Sequence, residues 1–212
     1  MGTLSKGTKG QLTGRIGDLT YYTANGQHVV RKSKNDLSGK PPSVNQLASR
    51  ERMKLVVNFL KPVKDFVKIG FGSTKRNPGV NAYNVATAVL LLEAVTGKYQ
   101  AYQLDYAKVV LSRGRLMQSL GALVVLENGE FVFTWQSENR WPGAGDRVMM
   151  VAYCEELQEA IYVAGGEKRI AGRDAIKAPQ EWEGKKIHFY ISFCTGDCKS
   201  VANSSYLGHL II

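Results

Sequence analysis

The histidines are the first side chains to consider, because imidazole is a common general base and metal ligand in proteins. Three occur: His28, His188 and His209. None stands in a His-x-x-x-His or His-Glu-x-x-His pattern, so their spacing does not indicate a zinc site. A Ser-His-Asp triad, which assembles in space, stays open, although no Gly-x-Ser-x-Gly sequence supports it. We interpret the histidines as strand residues and predict no catalytic residue, no metal site, no cofactor and no enzymatic activity.

The three cysteines are the next candidates for chemistry. Cys194 and Cys198 flank Thr-Gly-Asp and could face each other across a hairpin, either as a disulfide or as two free thiols. Two cysteines without a second Cys or His pair make a poor zinc site. Cys154 lies in an apolar run, which indicates a core position.

A glycine-rich stretch opens the chain, with Gly7, Gly10, Gly14 and Gly17 at short intervals. It resembles a phosphate-binding loop only superficially, because it lacks Gly-Lys-Ser/Thr and follows no predicted strand. Glycine permits close approach between backbones, so we interpret residues 1–35 as a flexible or extended arm. No small-molecule substrate is indicated.

The positive charge of the chain is concentrated in its first third. Residues 1–80 hold 15 Lys and Arg against four Asp and Glu, a net charge of +11, whereas residues 81–212 carry −1. Such an arm predicts an anionic or acidic partner. Tyr21 and Tyr22 lie among these charges and could stack on bases or contact a protein. The candidate surface for an anionic partner comprises Arg15, Arg31, Lys32, Lys34, Arg50, Lys54 and Lys61.

The arm itself contains a hairpin signal. Two β-prone runs, residues 19–23 and 28–31, are separated by a segment that contains Asn25-Gly26. Asn and Gly both tolerate positive φ, which favours a tight turn between two strands. A hairpin alone is marginally stable in water, so this one must pack on the rest of the chain or on another subunit.

A helical pair is predicted over about residues 43–96. Apolar residues at helical spacing follow a Ser43-x-x-Gln46 capping box, and Pro62 should kink or split this first helix. A second, very apolar helix is expected at about 81–95, and a strand at 104–111. These elements complete a basic N-terminal region, residues 1–114.

From about residue 115 the pattern changes to alternation with regular turns. We predict seven strands, and hairpin turns at Asn128-Gly129 and Gly165-Gly166. The predicted class is α+β: a β-hairpin arm and helical pair, followed over 115–212 by an immunoglobulin- or fibronectin-like antiparallel β-sandwich. The strands are expected near residues 121–126, 130–136, 147–153, 160–164, 168–173, 186–193 and 203–211.

Four separated segments carry a resemblance. They are Gly7 to Val29-Val-Arg31, Asn45-Gln-x-x-x-Arg50, Ser112-Arg-Gly-x-Leu116, and a final series from Phe133-Thr-Trp135 to Asn203-Ser-Ser-Tyr-Leu-Gly208. Their order resembles an uncharacterised Bacteroidota family, a domain of unknown function. Lys40-Pro-Pro-Ser-Val44 departs from the family's Asn-Pro-x-Thr-Pro. The resemblance implies a bacterial or bacteriophage origin, and it brings no activity.

The function expected from these features is structural. We predict an oligomeric assembly subunit whose partners are further copies or other assembly proteins, as in phage or phage-like particles. Arg140 and Trp141, in a predicted loop, are candidate contacts because both types recur at interface hot spots. The alternative is a nucleic-acid-associated protein that binds through the basic third. The sequence Met1-Gly-Thr-Leu-Ser-Lys-Gly7 and the lack of a long apolar run predict cytoplasmic synthesis and no membrane partner. A subunit of a phage-like particle would be found in the virion as well.

Overall fold

The computed structural model describes residues 2–4, 12–24, 26–32, 41–72, 81–137 and 143–212. The chain divides into two compact units, residues 1–44 and residues 45–212. Helices and antiparallel sheets are both present, with 26% helix and 41% strand, which confirms the predicted α+β class.

The first unit is a four-stranded antiparallel sheet in chain order. Its strands are β1 (Gly2–Leu4), β2 (Leu12–Ile16), β3 (Leu19–Ala24) and β4 (Gln27–Lys32). The predicted hairpin is confirmed, because β3 pairs with β4 from Leu19↔Lys32 to Ala24↔Gln27. Gly26 has φ +77°, the left-handed conformation that the turn requires.

The second unit begins with three helices. They are α1 (Val44–Leu60), α2 (Lys64–Gly70) and α3 (Ala82–Glu93). Pro62 lies between α1 and α2, so the predicted interruption is confirmed, since proline lacks the N–H that would continue the helix. The Asn81 side chain accepts a hydrogen bond from Tyr83 N at 3.0 Å and starts α3.

After the short strands β5 (Val95–Thr96) and β6 (Gln103–Leu104), the described residues contain seven more strands. They are β7 (Leu123–Glu127), β8 (Glu130–Thr134), β9 (Arg147–Cys154), β10 (Glu159–Lys168), β11 (Arg173–Lys177), β12 (Lys186–Cys194) and β13 (Ser205–Ile211). These seven form two antiparallel sheets. One sheet has the order β11-β8-β7 and the other β10-β9-β12-β13. The number of strands agrees with the prediction, but the fifth begins at Arg173, five residues after its predicted start at residue 168. Residues 169–171 instead form a 3₁₀ turn that ends at Gly172, φ +68°.

The larger sheet is covered on both faces. Val148, Met150 and Ala152 of β9 share an apolar core with Phe131 and Phe133 of β8. The alternate residues of β9 belong to a second core, which they form with helical residues: Met149, Val151, Tyr153, Val56, Phe59, Phe66 and Val67. Helices, larger sheet and smaller sheet therefore form three layers. The second core contains residues from before and after residue 114, where the sequence predicts a domain boundary. That boundary stays a prediction.

The strand predicted at 104–111 is wrong. Within that range only Leu104 belongs to a strand, β6 (Gln103–Leu104), which pairs with β5 (Val95–Thr96). The Asp105 side chain accepts a hydrogen bond from Ala107 N at 3.2 Å and starts a 3₁₀ turn at Tyr106. An aspartate that caps a turn in this way ends the strand regardless of the β propensity that follows.

The hairpin turn predicted at Gly165-Gly166 is also wrong. Both glycines lie inside β10, where the pairing with β9 shifts between Ala164 and Lys168. The turn between β9 and β10 is formed by residues 155–158 instead. Glycine in a strand marks a bulge as well as a turn, and here the bulge is what the structure contains.

Two motif segments that are distant in sequence pack together. Leu116 N donates to Val201 O at 3.1 Å, and Gly114 N donates to the Asn203 side chain at 3.0 Å. A Cβ at position 114 would overlap the Val201 backbone oxygen. The Ser-Arg-Gly-x-Leu and Asn-Ser-Ser-Tyr sequences therefore serve packing between the segment before β7 and the segment before β13.

Candidate functional site

The N-terminal sheet has one apolar face. Cross-strand partners share a face, so the register places Ile16 beside Leu19 and Tyr21 beside Val30. Ile16 is 47% exposed, Leu19 39% and Val30 52%. We define the apolar face as Leu12, Ile16, Leu19, Tyr21 and Val30. Large apolar side chains with this exposure, side by side on one surface, are typical of an interaction site.

The opposite face of the same sheet is basic. Arg15, Thr20 and Arg31 are cross-strand partners in one row. The Arg31 guanidinium lies 5.5 Å from the centre of the Tyr22 ring, which places Tyr22 on this face as well. We define the basic face as Arg15, Tyr22 and Arg31. The two predicted contact tyrosines therefore lie on opposite faces of the sheet. Tyr22 is on the basic face, whereas the register places Tyr21 and Lys32 on the apolar side.

Three of the predicted site residues lie outside the described part of the chain. Lys34 belongs to residues 33–40, and Arg140 and Trp141 belong to residues 138–142. The predictions made for these residues stay predictions.

The predicted basic residues of the first helix surround an apolar groove. Arg50 and Lys54 of α1 are exposed and, with Met53 and Val57, line a hollow of about 500 Å³. Met53 is 44% exposed and Val57 36%, although both belong to the predicted apolar stripe of this helix. A second hollow of about 280 Å³ continues the groove toward α3, lined by Met53, Val57, Tyr83, Asn84, Thr87, Ala88 and Leu91.

Lys61, the last predicted basic residue, is exposed just beyond the end of α1. Its backbone N–H donates to Val57 O at 3.0 Å, which continues the hydrogen bonding of the helix by one residue. It does not line either hollow of the groove. The seven basic candidates are therefore distributed over both units, and the structure brings together Arg15 with Arg31 and Arg50 with Lys54.

His188 is buried in a network of hydrogen bonds. It is 2% exposed, its Nδ1 lies 2.9 Å from the Tyr206 hydroxyl, and its Nε2 lies 3.1 Å from Glu155 Oε2. The ring stacks on Tyr106 with centroids 3.8 Å apart. Both ring nitrogens have hydrogen-bond partners, so metal binding at either nitrogen would require one of these bonds to break.

Burial decides the charge of this histidine. It lowers the pKa of His188, and the opposing hydrogen bond and charge of Glu155 do not restore it. Partial burial raises the pKa of Glu155, yet the hydrogen bond from His188 and the charge of Lys186 bring it below its usual value. A neutral imidazole therefore donates from Nε2 to the Glu155 carboxylate and accepts at Nδ1 from Tyr206. His188 lies in β12, as predicted, and the network joins this strand to β13 and to the turn after β9.

The thiols and carboxylates of the described residues do not form a metal site. No group of three or more His, Cys, Asp or Glu in that part of the chain is arranged to hold an ion. Cys154, Cys194 and Cys198 are free thiols. Among the described residues, no helix is both long enough and apolar enough to cross a membrane.

A comparison with known protein families agrees with the resemblance that the four sequence segments carry. The model of a family of unknown function (DUF6266) matches residues 10–208. The chain belongs to that family. The prediction of an uncharacterised domain family is confirmed. A search of curated proteins finds no match.

The division of the N-terminal sheet into an apolar and a basic face was missed by the sequence interpretation. The signal is present in the alternation of Leu12, Gly14 and Ile16 with Thr13 and Arg15. Because the glycine-rich stretch is interpreted as an arm, and pairing is predicted only between residues 19–23 and 28–31, this alternation is not predicted to be a strand. Once β2 pairs with β3, the alternation separates charge from apolar surface.

Proposed function

We propose that this protein is a non-enzymatic subunit of an oligomeric assembly that contacts neighbouring copies through its N-terminal sheet. The observation that carries the proposal is the apolar face, on which Ile16, Leu19 and Val30 are exposed. None of the described residues from 12 to 32 is buried, so this sheet has no core of its own. A single-layer sheet gains stability when its apolar face is covered.

The charges of the sheet favour a second copy as the partner. Arg15 and Arg31 lie on the basic face. On the apolar side, Lys32 at the end of β4 is the one charged residue among the described residues of β2, β3 and β4. Two apolar faces can therefore meet without bringing the arginines together. A contact of this kind is isologous, the same surface on both subunits.

The size of the apolar face indicates how such an assembly would be built. Strands of about six residues at about 3.4 Å and four strands about 4.8 Å apart give at most roughly 400 Å² per copy. The roughly 800 Å² buried by two copies is below the 1,200–2,000 Å², approximately, of a stable interface. Each contact is therefore weak, and a stable particle requires more than one contact per subunit.

The sandwich would be the part that docks or is displayed. We propose that it is fibronectin-like, and the strand order supports this. If β7 to β13 are named A, B, C, C′, E, F and G, the two sheets are A-B-E and C′-C-F-G. The fourth strand then joins the sheet of C, F and G, as C′ does in variable immunoglobulin domains. We also propose, on the resemblance alone, a Bacteroidota or phage-like particle as the assembly and cytoplasmic synthesis of the subunit.

The second candidate function is binding of nucleic acid through the basic face. The observation that favours it is the common position of Arg15, Tyr22 and Arg31 on one surface. Two guanidinium groups for phosphates beside an exposed ring for a base are the parts that single-stranded nucleic acid requires. The two functions use opposite faces of one sheet, so they can be tested separately.

Two double variants of the full chain separate these functions. Leu19→Glu with Val30→Glu changes the apolar face, and Arg15→Glu with Arg31→Glu is the matched change on the basic face. After nuclease treatment, mass is measured by size-exclusion chromatography with light scattering, and nucleic acid by the ratio of absorbance at 260 and 280 nm. We expect the first variant to lose the oligomer and the second to keep it. A wild-type monomer, or an apolar-face variant of unchanged mass, contradicts the assembly function.

A further inference from the structure

Two of the three thiols lie close together at the end of β12. Cys194 is the last residue of that strand, and Cys198 lies in the turn that follows. Their Sγ atoms are 3.7 Å apart. The turn is held by hydrogen bonds from Cys198 N to Thr195 O at 2.8 Å and from Thr195 N to Ser200 O at 3.0 Å. The short distance is therefore a property of an ordered turn between two strands.

The two thiols differ in access to solvent. Cys194 is fully buried among the helical and strand residues of the second core, whereas Cys198 is half-buried. Burial, together with the hydrogen bond that the Cys194 thiol makes to Cys198, raises the pKa of Cys194 to about 12. Cys194 is consequently a protonated thiol at neutral pH, and a small oxidant meets the sulfur of Cys198 first.

The backbone at Cys198 is a second, independent observation. Its φ is +55°, in the left-handed region that glycine and asparagine adopt far more readily than cysteine. Backbone conformation therefore does not explain a cysteine at this position. A role for the side chain does, and the neighbour within reach of that side chain is the other thiol.

We propose that Cys194 and Cys198 form a redox-active dithiol site that a low-molecular-weight disulfide, such as oxidised glutathione, converts to an intramolecular disulfide. In a disulfide the sulfurs lie about 2.05 Å apart, so each side chain must rotate to bring them together by roughly 1.6 Å. The Cys194–Val201 bridge keeps the two ends of the turn paired while this happens.

The chemistry proceeds in two exchanges. The Cys198 thiolate attacks one sulfur of oxidised glutathione, forming a mixed disulfide and releasing one glutathione thiolate. Cys194 then gives its proton to solvent and attacks the Cys198 sulfur, which expels the second glutathione thiolate. Two protein thiols are oxidised and one molecule of glutathione disulfide is reduced to two thiols.

Cys154 provides an internal control. It belongs to the core between the two sheets, whereas Cys194 belongs to the core on the helical side of the larger sheet. The sheet therefore separates their side chains, and Cys154 does not take part in the exchange.

The test uses the full chain, incubated at neutral pH across a series of oxidised-to-reduced glutathione ratios. Thiols are then blocked with N-ethylmaleimide under denaturing conditions and counted by intact mass, with peptide mapping to locate the link. We expect two of the three thiols to become unreactive together, and a peptide in which Cys194 is joined to Cys198. Cys154→Ser should form the same disulfide, and Cys198→Ser should not.

Three results would overturn the proposal. One is three reactive thiols at every ratio. Another is a stable glutathione adduct on Cys198 that Cys194 never displaces. The third is oxidation that requires Cys154, seen as loss of the disulfide in Cys154→Ser while its circular dichroism stays that of the wild type.

Discussion

Arg31 places its guanidinium 5.5 Å from the centre of the Tyr22 ring, while Val30, the preceding residue, projects from the opposite side of the same sheet and is 52% exposed. Consecutive residues of a strand point to opposite faces, so this pair marks where charge ends and apolar surface begins. The segregation matters because basic charge repels a second copy, whereas an exposed apolar surface attracts one. The two candidate functions are therefore compatible with a single sheet.

Charge reversal on the basic face should affect nucleic acid and little else. If this face binds phosphates, Arg15→Glu with Arg31→Glu should lower affinity for single-stranded DNA by at least roughly tenfold and reduce the slope of log K against log salt by about 1.4. Fluorescence anisotropy across a salt series measures both. Lys199→Glu, on an exposed side chain of the C-terminal unit, is the control. Equal slopes in all three proteins would remove nucleic-acid binding by this face.

Removing the Tyr206 hydroxyl should destabilise the second unit. Tyr206→Phe leaves His188 Nδ1 buried without its donor at 2.9 Å, which should lower the free energy of unfolding by about 1–3 kcal/mol. Urea denaturation followed by fluorescence measures the change. His209→Gln, on the exposed partner residue of His188 in β13, is the control and should change stability by less than about 0.5 kcal/mol. Equal loss in both variants would show that the network is not the cause.

His188 should also make stability depend on pH. Its pKa is lowered by burial in the folded chain, so the unfolded chain binds the proton more readily. Stability is complete above the unfolded value near 6.5 and falls as pH decreases from there toward the folded value. Glu155 acts in a lower window, because its pKa is lowered and its contribution is lost below about 4.5.

The pH effect can be isolated with one substitution. His188→Gln should flatten the dependence of the unfolding free energy on pH below about 6.5, because glutamine does not titrate. His209 faces His188, with ring centroids 5.7 Å apart, and Lys186 and Glu155 also face it. His209→Gln is therefore measured in parallel, and a slope that disappears in that variant instead would assign the effect to His209.

Much of the architecture follows from local sequence signals. Asn25-Gly26 predicted the β3–β4 hairpin, Pro62 predicted the break between helices, and the turns after residue 115 predicted seven strands. The errors at 104–111 and at Gly165-Gly166 arose where a capping aspartate and a bulge overrode local preference. Val148 to Cys154 reads as a continuous apolar run, which is the signature of a strand covered on both faces.

The candidate surfaces were harder to predict than the fold. Arg15 and Arg31 were identified as basic candidates, but their common face depends on the pairing of β2, β3 and β4. The exposure of Met53 and Val57 depends on how α3 packs beside α1, which helical periodicity alone does not contain. Long-range packing, unlike a turn or a cap, has no local sequence signal.

Arg169 should be essential to the sandwich. It is 1% exposed, its guanidinium lies 3.6 Å from the centre of the Phe193 ring and 3.6 Å from the Asp146 carboxylate, and it donates to Met117 O at 2.7 Å. Arg169→Met removes the charge and leaves buried Asp146 without its partner, which should lower the free energy of unfolding by about 3–5 kcal/mol. Arg173→Met, whose ion pair with Glu127 is exposed, should cost less than about 1 kcal/mol. Chemical denaturation that ranks the two variants equally would contradict this role.

Gly114 should tolerate no side chain. A Cβ there would overlap the Val201 backbone oxygen, so Gly114→Ala must displace the segment before β13 and should lower the free energy of unfolding by about 1–3 kcal/mol or more. Gly145→Ala is the matched control, since a Cβ at that position meets no atom within 4 Å. Thermal unfolding of the two variants measures the difference, and a Gly114→Ala protein as stable as the control would show that this contact is unimportant.

If the apolar face of the N-terminal sheet binds a second copy, a photo-cross-linking residue placed at Val30 should join two chains. The matched position is Arg31, the next residue and on the opposite face. After irradiation of nuclease-treated full-length protein, we expect a covalent dimer from position 30, joined to the sheet residues of the other copy, and little or none from position 31. Monomer alone from both positions, or equal dimer from both, would contradict it.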